Sequence, residues 1–380
     1  MLLQKYKKAI KLYRSLKCPD NVLNVETELL PYEQVWNMIL GLRGTGKTTQ
    51  LILWGLCLYV TYGIEIQYIR QRETQLAPSR AGSLCDVIIN NGYISKLTNG
   101  KYNSCFYHWR KWYFCRRSED GQIEEKADKH FMSCLAIELS EEYKSSYNAP
   151  KGDFIIVDEL LSPRGYLEDE FIYLSHLLST IIRLRDTAHI YLSGNLVDPY
   201  SVYFDELQLN DIIPQLKYGD HETLTSGDTK LHIYCQPRPA DRKREKVNSL
   251  YFGWKNARLT AITGSSGMWA IKNYPRPPKG DYKVISKGYI LKNDKLLARE
   301  LRQTEDMYYV FCYLDQYGYD PNIHILYTVD SDSGYNPKCR YGFGYSETDA
   351  AIKKLINAER VYFKDNSAGA FLDAYIQAIK

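Results

Sequence analysis

Residues 41–48 read GLRGTGKT, a match to G-x-x-x-x-G-K-[ST]. In that pattern glycines let successive backbone N–H groups turn inward on phosphates, the lysine reaches the β/γ-phosphates, and the final hydroxyl holds Mg²⁺. The flanks agree with it: residues 35–40 (VWNMIL) predict a buried strand and 47–60 (KTTQLILWGLCLYV) a helix. Strand, loop and helix in this order require an α/β sheet with a phosphate site at its edge. The nucleotide-binding candidates are Gly41, Gly44, Thr45, Gly46, Lys47, Thr48 and Thr49, with Thr48 also a Mg²⁺ ligand.

The rest of the chain alternates strands and helices. Residues 64–69 (IEIQYI), 153–157 (DFIIV) and 189–192 predict further strands, and 231–235 one more. The run DFIIV has no polar alternation, as expected of a parallel strand covered on both faces. A helix over 166–184 follows it, and residues 98–137 predict a hairpin excursion. The expected fold class is therefore α/β, a doubly wound, mostly parallel sheet. Residues 2–17 place Leu2, Tyr6, Ala9, Ile10, Tyr13 and Leu16 on one helical face, which predicts a docked surface helix. The stretch QPRPADRKREK breaks the pattern, so the expected division is 1–237, a linking segment over 238–275 bridged by a helix such as 240–257, and a compact α+β module over 276–380. In that module 282–291, 307–314 and 323–329 predict strands, and 346–357 and the C-terminus predict helices.

At 380 residues with 44% hydrophobic and 25% charged residues, the chain suits two globular domains. A net charge of +4 permits a nucleic-acid partner without demanding one, so any basic surface must be local. Nine cysteines without a C-x-x-C pair argue for reduced thiols and against a zinc site or disulfide frame. The longest apolar run, 51–60, is half a membrane span, and no signal peptide opens the chain.

A phosphate loop alone fits kinases, GTPases and motors. The stretch FIIVDEL divides them, because its strand ends in Asp158, suited to the Mg²⁺ shell, and continues into Glu159. An acid there can polarise an attacking water, which favours hydrolysis over transfer. No N-K-x-D guanine-reading motif is present, which disfavours a GTPase. Ser193-Gly194-Asn195 follows the next strand and can sense the γ-phosphate. Arg183 and Arg185 end the preceding helix, either as trans-acting fingers on a neighbour's nucleotide or as C-terminal caps. Arg43 within the loop is a further catalytic candidate beside Lys47, Glu159 and Arg183.

GLRGTGKT, YIRQRETQL, KSSYNAPKGDFIIVDE, IIRLRD and YLSGNLVDPYSVYFDEL together resemble the phi29-type podophage genome-packaging ATPases, short relatives of terminase large subunits. The resemblance covers residues 35–210 clearly and the remainder faintly. It implies an additional-strand, catalytic-glutamate P-loop NTPase that uses ATP and Mg²⁺. It also implies a homomeric ring of five subunits in the host cytoplasm, transiently attached to the portal of a prohead and pumping double-stranded DNA into it. A structural prohead RNA is left open, and no membrane is involved. The finger position falls on Arg183, and Lys144 sits near a second trans-acting position at a different local spacing.

Such a motor grips phosphates without reading sequence. Lys101, Arg110, Lys111, Arg116 and Arg117 are the DNA-binding candidates, in a segment that suits a pore loop or a hairpin packed by its aromatics. Residues 242–246 (RKREK) are a second basic candidate. In terminases the C-terminal domain is a ribonuclease-H-like nuclease, in which clustered carboxylates hold two metal ions. Asp315, Asp330, Asp332, Asp365 and Asp373 supply acids here. Asp315 opens what reads as a loop between adjacent antiparallel strands, Asp330 and Asp332 fall in a polar turn, and Asp373 reads as one exposed acid on the last helix. The module is therefore expected to be nuclease-inactive. The competing functions are a terminase with a working nuclease, a nucleotide-dependent assembly switch, and a generic helicase or partition ATPase.

Overall fold

The computed structural model describes residues 5–20, 22–161, 166–167, 169–195, 201–209, 212–237, 274–292, 295–328 and 347–378. The chain divides into two compact units, Met1–Pro199 with Gln208–Ala270, and Tyr200–Leu207 with Ile271–Lys380. The short stretch Tyr200–Leu207 thus groups with the second unit. The expected linking helix and the RKREK cluster lie outside the described residues.

The first unit opens with helix α1 (Lys7–Ser15). Its face of Tyr6, Ala9, Ile10, Tyr13 and Leu16 is buried in the main core, as the periodicity predicts, and Leu2 lies outside the described residues. Tyr6 and Tyr13 pack edge-on against Trp54 of helix α2 (Lys47–Tyr62), with centroids 6.4 and 5.9 Å away. The strands are β1 (Trp36–Gly41), β2 (Ile66–Arg70), β3 (Ser104–His108), β4 (Lys111–Arg117), β5 (Ile123–Ala136), β6 (Phe154–Asp158), β7 (His189–Asn195), β8 (His221–Ser226) and β9 (Thr229–Cys235). They form one sheet in the order β3-β4-β5-β2-β6-β7-β1-β9-β8. From β5 to β9 every pairing is parallel. Antiparallel hairpins close both ends. Strand β7 thus lies between β1 and β6. Helices α3 (Ser140–Ser146) and α4 (Glu170–Ile182) flank β6 in sequence.

The 98–137 excursion is the β3–β4 hairpin continued by β5. Its two-residue turn, Trp109–Arg110, has φ of 51° and 61°, the left-handed pair that matches the twist of a tight hairpin. Trp112 and Phe114 face inward, and Phe114 packs 4.7 Å from Phe131.

The second unit is a five-stranded sheet of β10 (Lys283–Lys292), β11 (Lys295–Gln303), β12 (Tyr308–Leu314), β13 (Ile325–Thr328) and β14 (Val361–Phe363), in the order β13-β10-β11-β12-β14. Helices α5 (Glu347–Asn357) and α6 (Asn366–Ala378) follow, and their residues Ile352, Leu372 and Tyr375 share one core with Ile290, Leu297 and Val310. One expectation is corrected here. Strands β12 and β13 are not adjacent: β13 pairs in parallel with β10, so the Asp315 loop crosses the sheet instead of closing a hairpin.

Candidate nucleotide site

The loop after β1 leaves the sheet and returns as α2 through Gly44 and Gly46, at φ of 74° and 79°. Gly46 is doubly constrained, because a Cβ there would lie 2.7 Å from the Val22 Cβ. The Lys47 side chain is buried, and its ammonium donates to Leu42 O at 2.8 Å and Asn195 Oδ1 at 3.1 Å, with Thr45 Oγ1 at 3.4 Å. All three acceptors are neutral. Burial pushes the Lys47 pKa down to about 8, against the opposing pull of Asp158.

Strand β6 delivers Asp158 beside Thr48, whose Oγ1 donates to the carboxylate, with distances of 2.9 and 3.1 Å to its oxygens. Tyr68 donates its hydroxyl to Asp158 Oδ2 at 2.7 Å from the neighbouring strand β2. The chain turns sharply after Asp158. Glu159 takes φ of 56°, and Leu160 N donates to Ser193 O at 2.9 Å, so β6 hands its end over to β7. That backbone angle is uncommon for a non-glycine residue and aims Glu159 away from the strand axis. Its carboxylate pairs with Arg70 from the end of β2, which also reaches the Tyr68 hydroxyl at 3.2 Å and Asp158 at 3.8 Å.

Lys47, Thr48, Asp158, Glu159 and Asn195 therefore meet at one edge of the sheet. Ser193 is buried in β7, and Gly194 packs against Leu161 and Leu40. Arg43 is exposed on the loop.

The remaining candidates lie elsewhere. Arg183 caps α4 at φ of 53° and donates to Tyr147 O at 2.9 Å. Arg185 is bound to Asp153 at 2.6 Å and to Ile181 O at 2.8 Å, the helix-capping role. Lys144 pairs with Glu141 one turn earlier on α3. On the hairpin, Arg110 pairs with Glu73 and donates to the Tyr143 hydroxyl at 3.0 Å. Arg116 binds the carbonyls of Gly100 and Lys101, and Arg117 that of Gly121. Three of the five basic side chains are thus engaged within the fold. Lys101 is exposed with Glu125 at 3.9 Å, and Lys111 flanks the turn bearing the 84% exposed Trp109.

No protein-family model matches the chain. Among curated proteins it is 22% identical over 185 residues to the DNA packaging protein of Bacillus phage phi29, covering 47% of this chain and 48% of that protein. It is 24% identical over 183 residues to the DNA packaging protein of Bacillus phage B103, covering 46% and 50%. Its fold is similar to the Phi-28 gp11 DNA packaging motor, with a TM-score of 0.58 and 16% identity over 95% of this chain and 99% of that one. The bacteriophage Phi-29 viral genome packaging motor assembly gives 0.57 and 14%, over 95% and 100%. The chain is similar to the DNA packaging proteins of phi29-type phages. It spans about half the length of the curated relatives it matches.

Among the described residues, the C-terminal acids Asp315, Asp365 and Asp373 are engaged. Asp315 is bound by Lys287 at 3.1 Å, Tyr289 OH at 2.8 Å and Gly318 N at 3.0 Å. Partial burial opposes ionisation of Asp315, but the Tyr289 and Lys287 contacts outweigh it and lower its pKa. Asp373 is not a lone exposed acid, since Tyr274 OH donates to it at 2.7 Å. Asp365 accepts from Ala368 N at the start of α6, and Asp330 and Asp332 lie outside the described residues. Among the described residues no group of three acids, histidines or cysteines is arranged to hold a metal, and no helix is long and apolar enough to cross a membrane.

Sequence reasoning missed Tyr68 and Gln236 and gave Arg70 no specific role. Only the position of Arg70 at a strand's C-terminal end signalled it.

Proposed function

We propose that this chain is the ATP-hydrolysing subunit of a homomeric ring motor that drives double-stranded viral DNA into a preformed prohead. The observation that carries the reading is the convergence of Lys47, Thr48, Asp158 and Glu159 at one sheet edge, with β7 between β1 and β6. We read the larger unit as a P-loop NTPase of the additional-strand, catalytic-glutamate type. Its relation to proteins named for DNA packaging supplies the track and the cargo.

On binding ATP, the amides of the 44–48 loop face the phosphates, and Lys47 exchanges its neutral acceptors for the β/γ-oxygens. The paired hydroxyl and carboxylate of Thr48 and Asp158 fit a hard cation and would hold Mg²⁺, which neutralises developing phosphate charge. Glu159 takes the proton of a water attacking the γ-phosphorus as the bond to the β–γ bridging oxygen breaks, leaving ADP and phosphate. Glu159 does this only when released from Arg70, so their ion pair restrains the base until the site is filled. Asn195 loses its bond to Lys47 in the same event and carries the change into β7. Arg183 serves a neighbour's site, with Lys144 a second candidate, whereas the internal pairing of Arg185 argues for a structural role.

Duplex contact falls to Lys101 and Lys111 ahead of Arg110, Arg116 and Arg117. The C-terminal unit, with its acids engaged, is read as a docking module descended from a ribonuclease-H-like fold. The assembly implied is a five-membered ring on a portal-bearing prohead in the host cytoplasm. The test is ATP turnover of the purified chain, alone and with duplex DNA plus empty proheads. Turnover that DNA and proheads together stimulate supports the motor. Binding without turnover in either condition overturns it in favour of an assembly switch.

A further inference from the structure

We infer that Gln236 is a positioning residue that locks the Thr45–Gly46 peptide of the phosphate loop in its phosphate-binding orientation, an inference that rests on the ATP-binding reading above. Gln236 follows β9, and its backbone N donates to Leu40 O at 2.7 Å, one step beyond the ladder that joins β9 to β1. Its side chain is 3% exposed and lies beneath the loop. The Gln236 Nε2 donates to Thr45 O at 3.0 Å, and Gln236 Oε1 lies 2.6 Å from Thr45 Oγ1. A carbonyl can only accept, so the amide has one usable orientation, with its nitrogen on Thr45 O and its oxygen on the hydroxyl.

Thr45 O accepts a second bond, from Leu23 N at 3.0 Å. Donors from two segments on opposite sides of the loop in sequence therefore grip one carbonyl. In a trans peptide C=O and N–H point in opposite directions. Holding Thr45 O toward Gln236 and Leu23 turns the Gly46 N–H the other way, toward the concave side of the loop. Rotating this peptide would break both bonds and leave a buried carbonyl unpaired. The first glycine of the loop serves the same arrangement, because a Cβ on Gly41 would lie 3.1 Å from the Gln236 Cβ. Gln236 thereby ties the phosphate loop to the chain that leaves the sheet. Among the described residues its side chain hydrogen-bonds to neither Lys47 nor Asp158, so it acts through Thr45.

The experiment titrates the full-length chain with a fluorescent ATP analogue and Mg²⁺, beside steady-state turnover and thermal melting. Gln236→Met keeps the length of the side chain and removes both hydrogen bonds. Losing bonds to a buried carbonyl is expected to weaken ATP binding roughly tenfold and to raise KM in step, while kcat stays near the parental value because Glu159 and Asp158 are untouched. A merely structural residue would lower the melting temperature and leave the affinity of the folded chain unchanged. If Gln236→Met does not fold, Gln236→Asn, one methylene short of Thr45, carries the same expectation. A folded variant that binds ATP with parental affinity overturns the inference alone. A parental chain that binds no ATP overturns the nucleotide reading and this inference with it.

Discussion

Lys47 and Lys287 are the same residue in two different electrostatic situations. Lys47 is buried among a carbonyl, a hydroxyl and an amide oxygen, and its pKa falls to about 8. Lys287 is also partly buried, which works against its charge, yet contacts to Tyr289, Tyr313 and Asp315 raise its pKa well above the usual lysine value. Its ammonium lies 5.0 and 5.3 Å from the Tyr289 and Tyr313 ring centroids. The second unit supplies its cation with an anion. In the first, Lys47 hydrogen-bonds only to neutral acceptors and the Asp158 charge does not offset its burial, a costly arrangement unless an anionic ligand completes it. Buried Arg302 follows the Lys287 pattern, paired with Glu300 at 2.6 Å.

The widest separation between the two regions is expected from Glu159, the proposed general base. Glu159→Gln should keep ATP binding while turnover falls about 10²–10⁴-fold, because an amide cannot take the proton of water. Lys47→Ala should abolish binding itself, and neither change should alter the melting of the second unit. Parental turnover by Glu159→Gln would remove the acid from its assigned role.

A comparable loss, about 10³-fold or more, is expected of Arg183→Ala in assembled rings if the guanidinium acts on a neighbour's phosphates. Its own pocket stays intact, so rings mixed from Arg183→Ala and Glu159→Gln chains should regain part of the activity at interfaces pairing an intact base with an intact arginine. Mixed rings that stay inactive would confine Arg183 to its cap on Tyr147.

The lysine comparison itself predicts proton uptake. With a pKa of about 8 in the free chain, Lys47 is largely neutral at pH 8.5–9, and the arriving phosphates favour its charged form. ATP binding should then take up a proton near pH 9 and almost none at pH 7, where Lys47 is already charged. Calorimetric titration in buffers of different ionisation enthalpy reads this directly. Equal, near-zero uptake at both pH values would mean that the free lysine is not depressed.

The smallest effect is expected in the second unit. Lys287→Met leaves Asp315 with its tyrosine and amide partners, at a cost of about 1–2 kcal/mol after allowance for partial exposure. Thermal melting checks the cost, and ATP binding should not change. Supercoiled plasmid incubated with the full chain and Mn²⁺ should remain uncut. Cleavage abolished by Asp315→Asn would revive the nuclease reading.

The second unit also marks where local sequence misleads. Residues 295–303 (KLLARELRQ) are rich in leucine, alanine, arginine and glutamate, good helix formers, yet they form the central strand of the second sheet with seven of nine residues buried. Pairing with β10 on one side and β12 on the other supplies backbone partners that override the propensity. The Asp315 loop was misjudged for a related reason, since strand adjacency depends on long-range pairing.

By itself the sequence determined what is contiguous. The phosphate loop, the apolar strands that end at its edge, the Asp158–Glu159 pair and the buried face of α1 each depend on spacing within a short window, which side-chain periodicity and backbone flexibility impose locally. Tertiary structure alone decided which strand ends would meet. It set Tyr68 and Arg70 from β2 against Asp158 and Glu159, Asn195 against Lys47, and Gln236 against Thr45, 191 positions away. A parallel sheet collects the carboxyl ends of strands that are far apart in the chain, and no local pattern records which residues it brings within hydrogen-bonding distance.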